Sequence, residues 1–441
     1  MAGASHVELA VGRREETDAQ KEPMGQYLAT PVTDKEVAAG SHGRLHYGIS
    51  AQQGWRKNME DAHIAHHLSD ECHIFGVFDG HGGPEVARFC SKRMPGELVG
   101  CPGFVEGRYE DGLKQVFHRM DELMRSREGL SELEVLRREC EGGKPGEGEG
   151  EGEGEGEDTY DMLRKLVQLQ RMSAGQNGSG KGEGEDGAED SSSLQPELTV
   201  QAGCTAVVAL LVKDHLYVAN AGDSRAVLCR GGKAVPMSED HKPAAPDERA
   251  RIMAAGGFLS EIGGITRVNG NLNLSRAIGD LRYKMNSELE PKDQIITAEP
   301  DVAVQRLLPE DRFLVLACDG IWDVMNNQQV VDFVAERLAR GEQPHEISSQ
   351  LLDVCLASDP REARGIGCDN MTAAIVVFEE GQPIRSGSCS CSVLEEGAAA
   401  NGKCNKAGCA DGGKSGSDAA MREATPPPQG RQPAAATAAR A

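Results

Sequence analysis

Four times along this chain an apolar strand, or the turn after one, delivers an aspartate: Phe78-Asp79-Gly80, Ala221-Gly222-Asp223, Ala317-Cys318-Asp319-Gly320 and Gly367-Cys368-Asp369-Asn370. Taken singly, each reads as a turn residue or helix cap, because short carboxylates bond nearby backbone N–H groups. Taken together they say more. Strands of one sheet system bring several carboxylates to one edge, where their mutual repulsion is costly without a cation between them. Oxygen donors with no matching His/Cys cluster favour a hard ion such as Mg²⁺ or Mn²⁺ over zinc. Gly80, Gly222 and Gly320 adjoin three of the aspartates and let backbone approach an ion closely.

A fifth segment, Gly54-Trp55-Arg56-Lys57-Asn58-Met59-Glu60-Asp61-Ala62, places two adjacent carboxylates shortly after an arginine. Alone it is a solvated charged turn. Beside the aspartates, Arg56 supplies a planar fork matched to the oxygens of a phosphate, and Glu60 adds a ligand. Arginine next to carboxylates that hold two metals points to phosphoryl chemistry.

The elements that must position these residues are legible from periodicity. Tyr47-Gly48-Ile49-Ser50 reads as a strand and Cys72 to Phe78 as a buried one, after which Pro84 opens a helix running to about Met94. A second helix spans about Asp111 to Arg125, with Leu113, Val116, Phe117, Met120 and Leu123 on one face. Thr205 to Val212 and Leu216 to Asn220 flank a Lys213-Asp214-His215 turn as a hairpin, and Ala226 to Cys229 adds a third strand in an expected meander. A strand over Arg312 to Cys318, helices near Asn327 to Arg340 and Pro344 to Ala357, and a strand over Thr372 to Phe378 complete the pattern.

The rest of the chain is compositionally different. Residues 1–42 are polar and aperiodic, the expectation being a flexible arm. From Glu141 to Ser193 the sequence turns Gly/Glu-rich, with 14 acidic against 5 basic side chains, so 141–197 is expected to be a disordered acidic insert. Inside it Asp161 to Met172 has helical apolar spacing and is suited to docking on a partner. Residues 381–441 read as a low-complexity tail. The 441-residue length, a prior of about three domains, therefore reduces to one catalytic domain over 43–380 with an arm, an insert and a tail.

Charge and cysteine content bound the function. With 47 basic and 70 acidic side chains the formal net charge is −23, which opposes nucleic-acid binding through a basic surface. The 13 cysteines are scattered, as suits a reducing compartment; the group Cys389, Cys391, Cys404 and Cys409 could bind zinc but reads first as free thiols in a loose tail. No apolar run reaches the roughly 18 residues of a membrane span and no signal core opens the chain, so a soluble intracellular protein, cytoplasmic or nuclear, is expected. Met24-Gly25-Gln26-Tyr27-Leu28 would bring membrane association only if translation began at Met24, and Ala29 stands where a myristoylation motif wants Ser or Thr.

Read in order, Gly54-Trp55-Arg56 with Met59-Glu60-Asp61-Ala62, Phe78-Asp79-Gly80-His81-Gly82-Gly83, Gly203-Cys204-Thr205-Ala206, Ala219 to Arg225, Asp240-His241-Lys242-Pro243, Arg267-Val268-Asn269-Gly270, Leu274 to Asp280, Ala317 to Asp323 and Cys368-Asp369-Asn370-Met371-Thr372 resemble the metal-dependent type 2C Ser/Thr protein phosphatases. Within that family the acidic insert is similar to that of the gamma-type branch. The resemblance implies an α+β fold, a four-layer αββα sandwich in which a central antiparallel β-sandwich is flanked by helices, with metals in a cleft at one end. It implies that Asp79 bridges two Mn²⁺ or Mg²⁺ ions, that Glu60 and the Gly80 carbonyl complete one site and Asp319 and Asp369 the other, and that Asp61 holds a metal-bound water. Asp223 and Asp323, with Asp319, match a weaker third metal position. Arg56 is implied to grip the substrate phosphate while a water or hydroxide shared by the metals attacks phosphorus in line. His81 is implied as general acid for the leaving seryl or threonyl oxygen, since an imidazole with an ordinary pKa of about 6.5 can supply that proton. Arg276 and Asn370 are implied as support and Lys242 as the start of a substrate-choosing flap reaching Gly270. Cys204 stands where the family more often has serine or threonine.

Two other readings compete. A catalytically dead scaffold is disfavoured because Glu60, Asp79, Asp319 and Asp369 are all present. A two-metal nuclease needs a basic track that a chain of net charge −23 lacks. The expected partners are phosphoprotein substrates and basic proteins drawn to the acidic insert, and the expected state is monomeric.

Overall fold

The computed structural model describes residues 27–43, 45–140 and 200–378. The architecture follows from strands that are apolar on both faces. In Cys72–Phe78 every residue is buried. Successive side chains of a strand point to opposite faces, so such a strand needs cover on both. Cys72, Ile74 and Phe78 pack with helices on one side, whereas Phe75 and Val77 face a second sheet on the other. Phe313, Val315 and Ala317 likewise pack under helices while Leu314 and Leu316 face inward. Two sheets share one central core, and each carries a helical layer outside.

In chain order the first strands are β1 (Val32–His42), β2 (Leu45–Gly54), β3 (Ala62–Ser69), β4 (Cys72–Phe78), β5 (Gly80–His81), β6 (Gly203–Cys204), β7 (Ala206–Val212) and β8 (His215–Ala221). Then follow β9 (Arg225–Arg230), β10 (Lys233–Pro236), β11 (Leu259–Ile262), β12 (Ile265–Val268), β13 (Ile278–Gly279), β14 (Asp301–Arg306), β15 (Asp311–Ala317) and β16 (Met371–Phe378). One sheet has the order β1-β2-β16-β15-β9-β10 and the other β14-β8-β7-β4-β3. A small sheet, β13-β6-β5, and the hairpin β11-β12 stand apart from them. The pairings between these strands are antiparallel.

Helices α1 (Glu85–Gly100), α2 (Pro102–Val105), α3 (Tyr109–Arg125) and α4 (Arg127–Cys140) follow β5. Of these, α1, α3 and α4 cover the five-stranded sheet, and Val116, Phe117 and Met120 of α3 are fully buried. The six-stranded sheet is covered by the helices Asn327–Ala339 and Pro344–Cys355. The first of these carries a capping box, Asn326 and Gln329 each accepting the other's backbone N–H. Among the described residues no helix is long and apolar enough to cross a membrane. The αββα sandwich expected from the resemblance is the observed fold.

Three expectations are corrected. The flexible arm expected over 1–42 gives way to strand from Val32: β1 pairs with β2 as an edge strand, and none of its residues is fully buried. Its order comes from the backbone ladder rather than from an apolar pattern, which is why periodicity did not reveal it; the Lys35–Asp353 ion pair at 2.5 Å, with Asp353 mostly exposed, adds little. Helix α4 was not expected; only a sparse face carrying Leu133 and Leu136 is buried. The expected meander does not form. β7 and β8 do make a hairpin, but β9 lies in the other sheet. The crossing occurs at Gly222, where φ is +119° and a Cβ would stand 2.5 Å from the Thr205 side chain, so only glycine fits the turn. The acidic insert with Asp161 to Met172, Met24 and Gly25, and the tail with its cysteines lie outside the described residues.

A buried ion pair fixes α3 to the segment beyond β13. Lys284 Nζ donates to Asp121 Oδ2 at 2.5 Å and to the Ala277 carbonyl at 2.7 Å, and Asp121 Oδ1 accepts the Gly279 N–H at 2.8 Å. Removing one partner strands the other charge in the interior. Lys284→Ala is expected to destabilise the protein by about 3–5 kcal/mol in urea unfolding, and a loss below about 1 kcal/mol would show the pair to be dispensable.

Candidate active site

The expected site residues converge on a cleft of about 660 Å³ where strand ends of the two sheets meet. Arg56, Glu60, Asp79, Gly80, His81, Asp223, Asp319, Asp369 and Asn370 all line it. Each is brought there by a short connection at the end of a strand. Asp79 follows β4, and its carbonyl accepts the Thr205 N–H at 2.8 Å, tying it to the start of β7. Asp319 opens the short helix Asp319–Trp322 directly after β15. Asp369 and Asn370 immediately precede β16.

Asn370 organises the loop between β2 and β3. Its Nδ2 donates to the carbonyls of Gln53 at 2.8 Å and Asn58 at 3.0 Å, while its Oδ1 accepts the Glu60 N–H at 2.9 Å. That triple contact holds Arg56 and Glu60 over the cleft. Gly80 comes so close to this loop that a Cβ would lie 2.2 Å from the Glu60 carbonyl oxygen. Arg56 Nη2 donates to Asp369 Oδ2 at 2.5 Å, so the guanidinium lies beside the carboxylates.

The electrostatics are those of crowded anions. Burial first, and then the charges of Asp61, Asp319, Asp369 and Asp223, push the Asp79 carboxyl well above the usual range. Asp319 rises likewise through burial and the charges of Asp223, Asp369 and Asp323. Burial also lifts Glu60 and Asp323. Asp61, just behind the cleft, is pushed up to about 7 by burial, although Thr372 Oγ1 donates to its Oδ2 at 2.7 Å. Its Oδ1 is buried with no hydrogen-bond partner.

This arrangement fits divalent cations. Several carboxylates that repel one another, with one buried oxygen left unpaired, form an oxygen-rich donor set suited to a hard ion. Asp61, Asp79 and Cys318 also present donor atoms within 4.8 Å of one another. The Cys318 thiol is a poor ligand here, because burial and then the neighbouring carboxylates hold it well above its ordinary pKa. It accepts the Thr372 N–H at 3.2 Å and donates to the Asn370 carbonyl at 3.5 Å.

Other expected residues lie around this centre. Lys242 Nζ donates to Asp223 Oδ2 at 2.5 Å, bringing the start of the flap region to the cleft. The segment from Lys242 to Gly270 contains the helix Pro246–Ala254 and the hairpin β11-β12, and Leu272 to Leu274 just beyond it line the cleft. Arg276 stands apart from the lining. It bonds Glu248 Oε1 at 2.7 and 3.0 Å and Asp301 Oδ1 at 2.8 Å, joining the helix Pro246–Ala254 to the start of β14. Glu248 is thereby drawn down to about 2: burial raises it, but the Arg276 and Arg251 partners outweigh that.

Beside the expected residues stands Asp280, for which the sequence suggested no role. Asp280, fully buried and in the left-handed region at φ +49°, places its Oδ2 2.5 Å from His81 Nε2. Burial pulls the imidazole down, yet the Asp280 charge and hydrogen bond prevail and lift it above its ordinary value. Positive φ in a non-glycine residue is uncommon and marks a conformation held by its surroundings. The only sequence signal was an aspartate following Gly279.

The raised Asp61 pKa carries a stability consequence. In the metal-free protein, protonated Asp61 favours the fold below its unfolded pKa of 3.8, and that contribution is lost as pH rises through about 7. The metal-free melting temperature is therefore expected to fall between pH 5.5 and 8, and Mg²⁺ to raise it more at pH 8 than at pH 5.5. A metal-free melting temperature that rises across this interval would contradict the arrangement.

Comparison with known proteins agrees with the geometry. The family described as Protein phosphatase 2C matches residues 45–137 and 164–363. The chain is 44% identical over 358 residues to "Probable protein phosphatase 2C 11" of Oryza sativa subsp. japonica, covering 81% of this chain and 91% of that one. It is 40% identical over 368 residues to "Protein phosphatase 2C homolog 2" of Schizosaccharomyces pombe, covering 81% and 80%. Among solved structures, a Toxoplasma gondii phosphatase shares the fold with a TM-score of 0.53 at 22% identity, over 79% of this chain and 97% of that one. With identity of this extent over four-fifths of its length, and with the family's motif residues gathered around one carboxylate-lined cleft, the chain belongs to the protein phosphatase 2C family.

Proposed function

We propose that this protein is a metal-dependent protein phosphatase that hydrolyses phosphoserine and phosphothreonine in protein substrates with Mn²⁺ or Mg²⁺. The observation that carries this reading is the joint presence, in one cleft, of Arg56, the carboxylates and His81. Glu60, Asp79 and the Gly80 carbonyl, with Asp319 and Asp369, would hold two ions; Asp223, Asp319 and Asp323 would hold a weaker third. When bound, the ions offset the carboxylate and phosphate charges and make water an available nucleophile near neutral pH.

The chain's own residues do the rest. Arg56 orients the phosphate through its two-pronged donor geometry. Asp61, with Oδ2 fixed by Thr372, keeps Oδ1 available to accept a hydrogen bond from the attacking water. Asp280 engages His81 Nε2 and stabilises the charged imidazole, leaving Nδ1 to give a proton to the seryl or threonyl oxygen. Asn370 acts by positioning, since it fixes the Glu60 backbone. Arg276 supports the flap helix that starts beyond Lys242.

The sequence of 141–197 divides the catalytic motifs and, with its acidic excess, suits contact with basic proteins, as in the gamma-type branch that it resembles. We read the protein as a monomer acting in the cytoplasm or nucleus.

Two experiments test the reading. Hydrolysis of a phosphothreonine peptide is expected in Mn²⁺ or Mg²⁺ and none in EDTA or in an Asp79→Ala/Asp319→Ala double variant; full activity in either would refute it. The second concerns the proton donor. His81→Gln is expected to slow peptide hydrolysis by about 10²-fold or more, but to affect far less an aryl phosphate whose leaving group departs without a proton. Equal losses on both substrates would remove His81 from that role.

A further inference from the structure

Strand β4 carries chemistry at both ends. Asp79 follows its last residue and His73 stands near its first. At about 3.3 Å per residue, the two lie about 20 Å apart along the strand. His73 is not alone. His67 on β3 is paired directly opposite it, and His42 ends β1 in the other sheet. The His42 ring lies over His67, with centroids 4.7 Å apart and planes 10° from parallel, and is 5.5 Å from His73. Tyr47 and Phe75, in edge contact at 5.3 Å, wall the cluster on the core side.

The nitrogen geometry is informative. His67 Nδ1 and His73 Nδ1 are 3.3 Å apart. That distance makes a long hydrogen bond between the rings when one Nδ1 is protonated. It equals the spacing of two nitrogens on one tetrahedral ion, which at metal–nitrogen distances of about 2.0–2.1 Å works out to about 3.3–3.4 Å. His67 Nε2 lies 3.9 Å from Oδ1 of the exposed Asp70, beyond hydrogen-bond reach. Burial first, then the neighbouring rings, lower His73 to about 4, and burial then His67 lower His42. Both rings are thus neutral at pH 7, the form that ligates. His73 is buried, while His42 and His67 are half-exposed and give an ion access.

We propose that His67, His73 and His42 form a second metal site that takes one zinc-like transition-metal ion, with His67 and His73 each ligating through Nδ1. His42 supplies the third nitrogen by turning off its stack on His67. The bound ion joins β1 of the six-stranded sheet to β3 and β4 of the five-stranded sheet and braces the sandwich at the end remote from the cleft. The two sites divide metals by chemistry: carboxylates select hard ions, and imidazoles select zinc, cobalt or nickel.

The test uses the metal-stripped full chain with excess Mg²⁺ to fill the carboxylate cleft, titrated with Co²⁺ and Zn²⁺. Expected are one Co²⁺ with the visible absorption of a tetrahedral nitrogen site, no thiolate charge-transfer band, and a higher melting temperature with either ion. His67→Gln and His42→Gln, at partly exposed positions that leave buried His73 intact, are each expected to weaken Co²⁺ binding about tenfold or more and to abolish the thermal shift. Phosphatase activity in Mg²⁺ should stay within about twofold of the unaltered chain in both variants, since the histidines lie about 20 Å from the cleft. Unchanged Co²⁺ affinity in either variant, or a thiolate band in place of the nitrogen signature, overturns the proposal.

Discussion

Anions that repel one another must be held together at the mouth of this protein, and much of the molecule can be understood as the means of doing so. Asp79 and Asp319 are lifted well above the usual carboxyl range, first by burial and then by neighbouring aspartates, so that keeping them ionised in the folded chain costs free energy unless a cation offsets it. Only a stiff support can keep such groups apart by a fixed distance without letting them swing out to water. Here the support is a pair of sheets whose strands are apolar on both faces, so that neither sheet can shift without disturbing packed layers on either side.

The contributions come from both sheets. Asp79 leaves the five-stranded sheet at the end of β4, while Asp319 and Asp369 belong to the ends of β15 and β16 in the six-stranded sheet. The cleft is thus a joint between layers, and hydrogen bonds from backbone to side chain set its tolerances. Asn370 is the clearest example, because one amide side chain holds three backbone groups of the Gln53 to Glu60 loop. On the opposite side the Lys284–Asp121 pair and the Gly279 N–H fix the residue before Asp280, and Asp280 in turn meets His81. The imidazole therefore takes its place from a helix of the outer layer as well as from its own strand.

Much of this was legible in the sequence because the relevant signals are local. Buried strands such as Cys72 to Phe78 declare themselves by continuous apolar runs, and an aspartate at the end of such a run is already positioned at a sheet edge. What stayed hidden depends on pairing across the fold. β1 has few apolar side chains and exists because β2 offers it a backbone ladder. β9 has the pattern of a third meander strand, and only the turn at Gly222 sends it to the other sheet. Asp280 looks like any aspartate after a glycine until β5, β6 and β13 come together and bring it to His81. His42, His67 and His73 share no motif; the register of β3 on β4 and the closing of the two sheets bring them into contact.

Arg56 has one guanidinium and two claimants. Its Nη2 donates to Asp369 Oδ2 at 2.5 Å, and in the proposed reaction the same group would meet a substrate phosphate. An ion held by Asp369 would loosen its hold on the arginine, and a phosphate held by the arginine would leave Asp369 freer to meet an ion. Each ligand thereby lowers the cost of admitting the other, and reciprocity of this kind is a thermodynamic requirement. Through the Arg56–Asp369 pair the cation and the phosphate would be coupled symmetrically, each easing the other's entry with no order imposed between them.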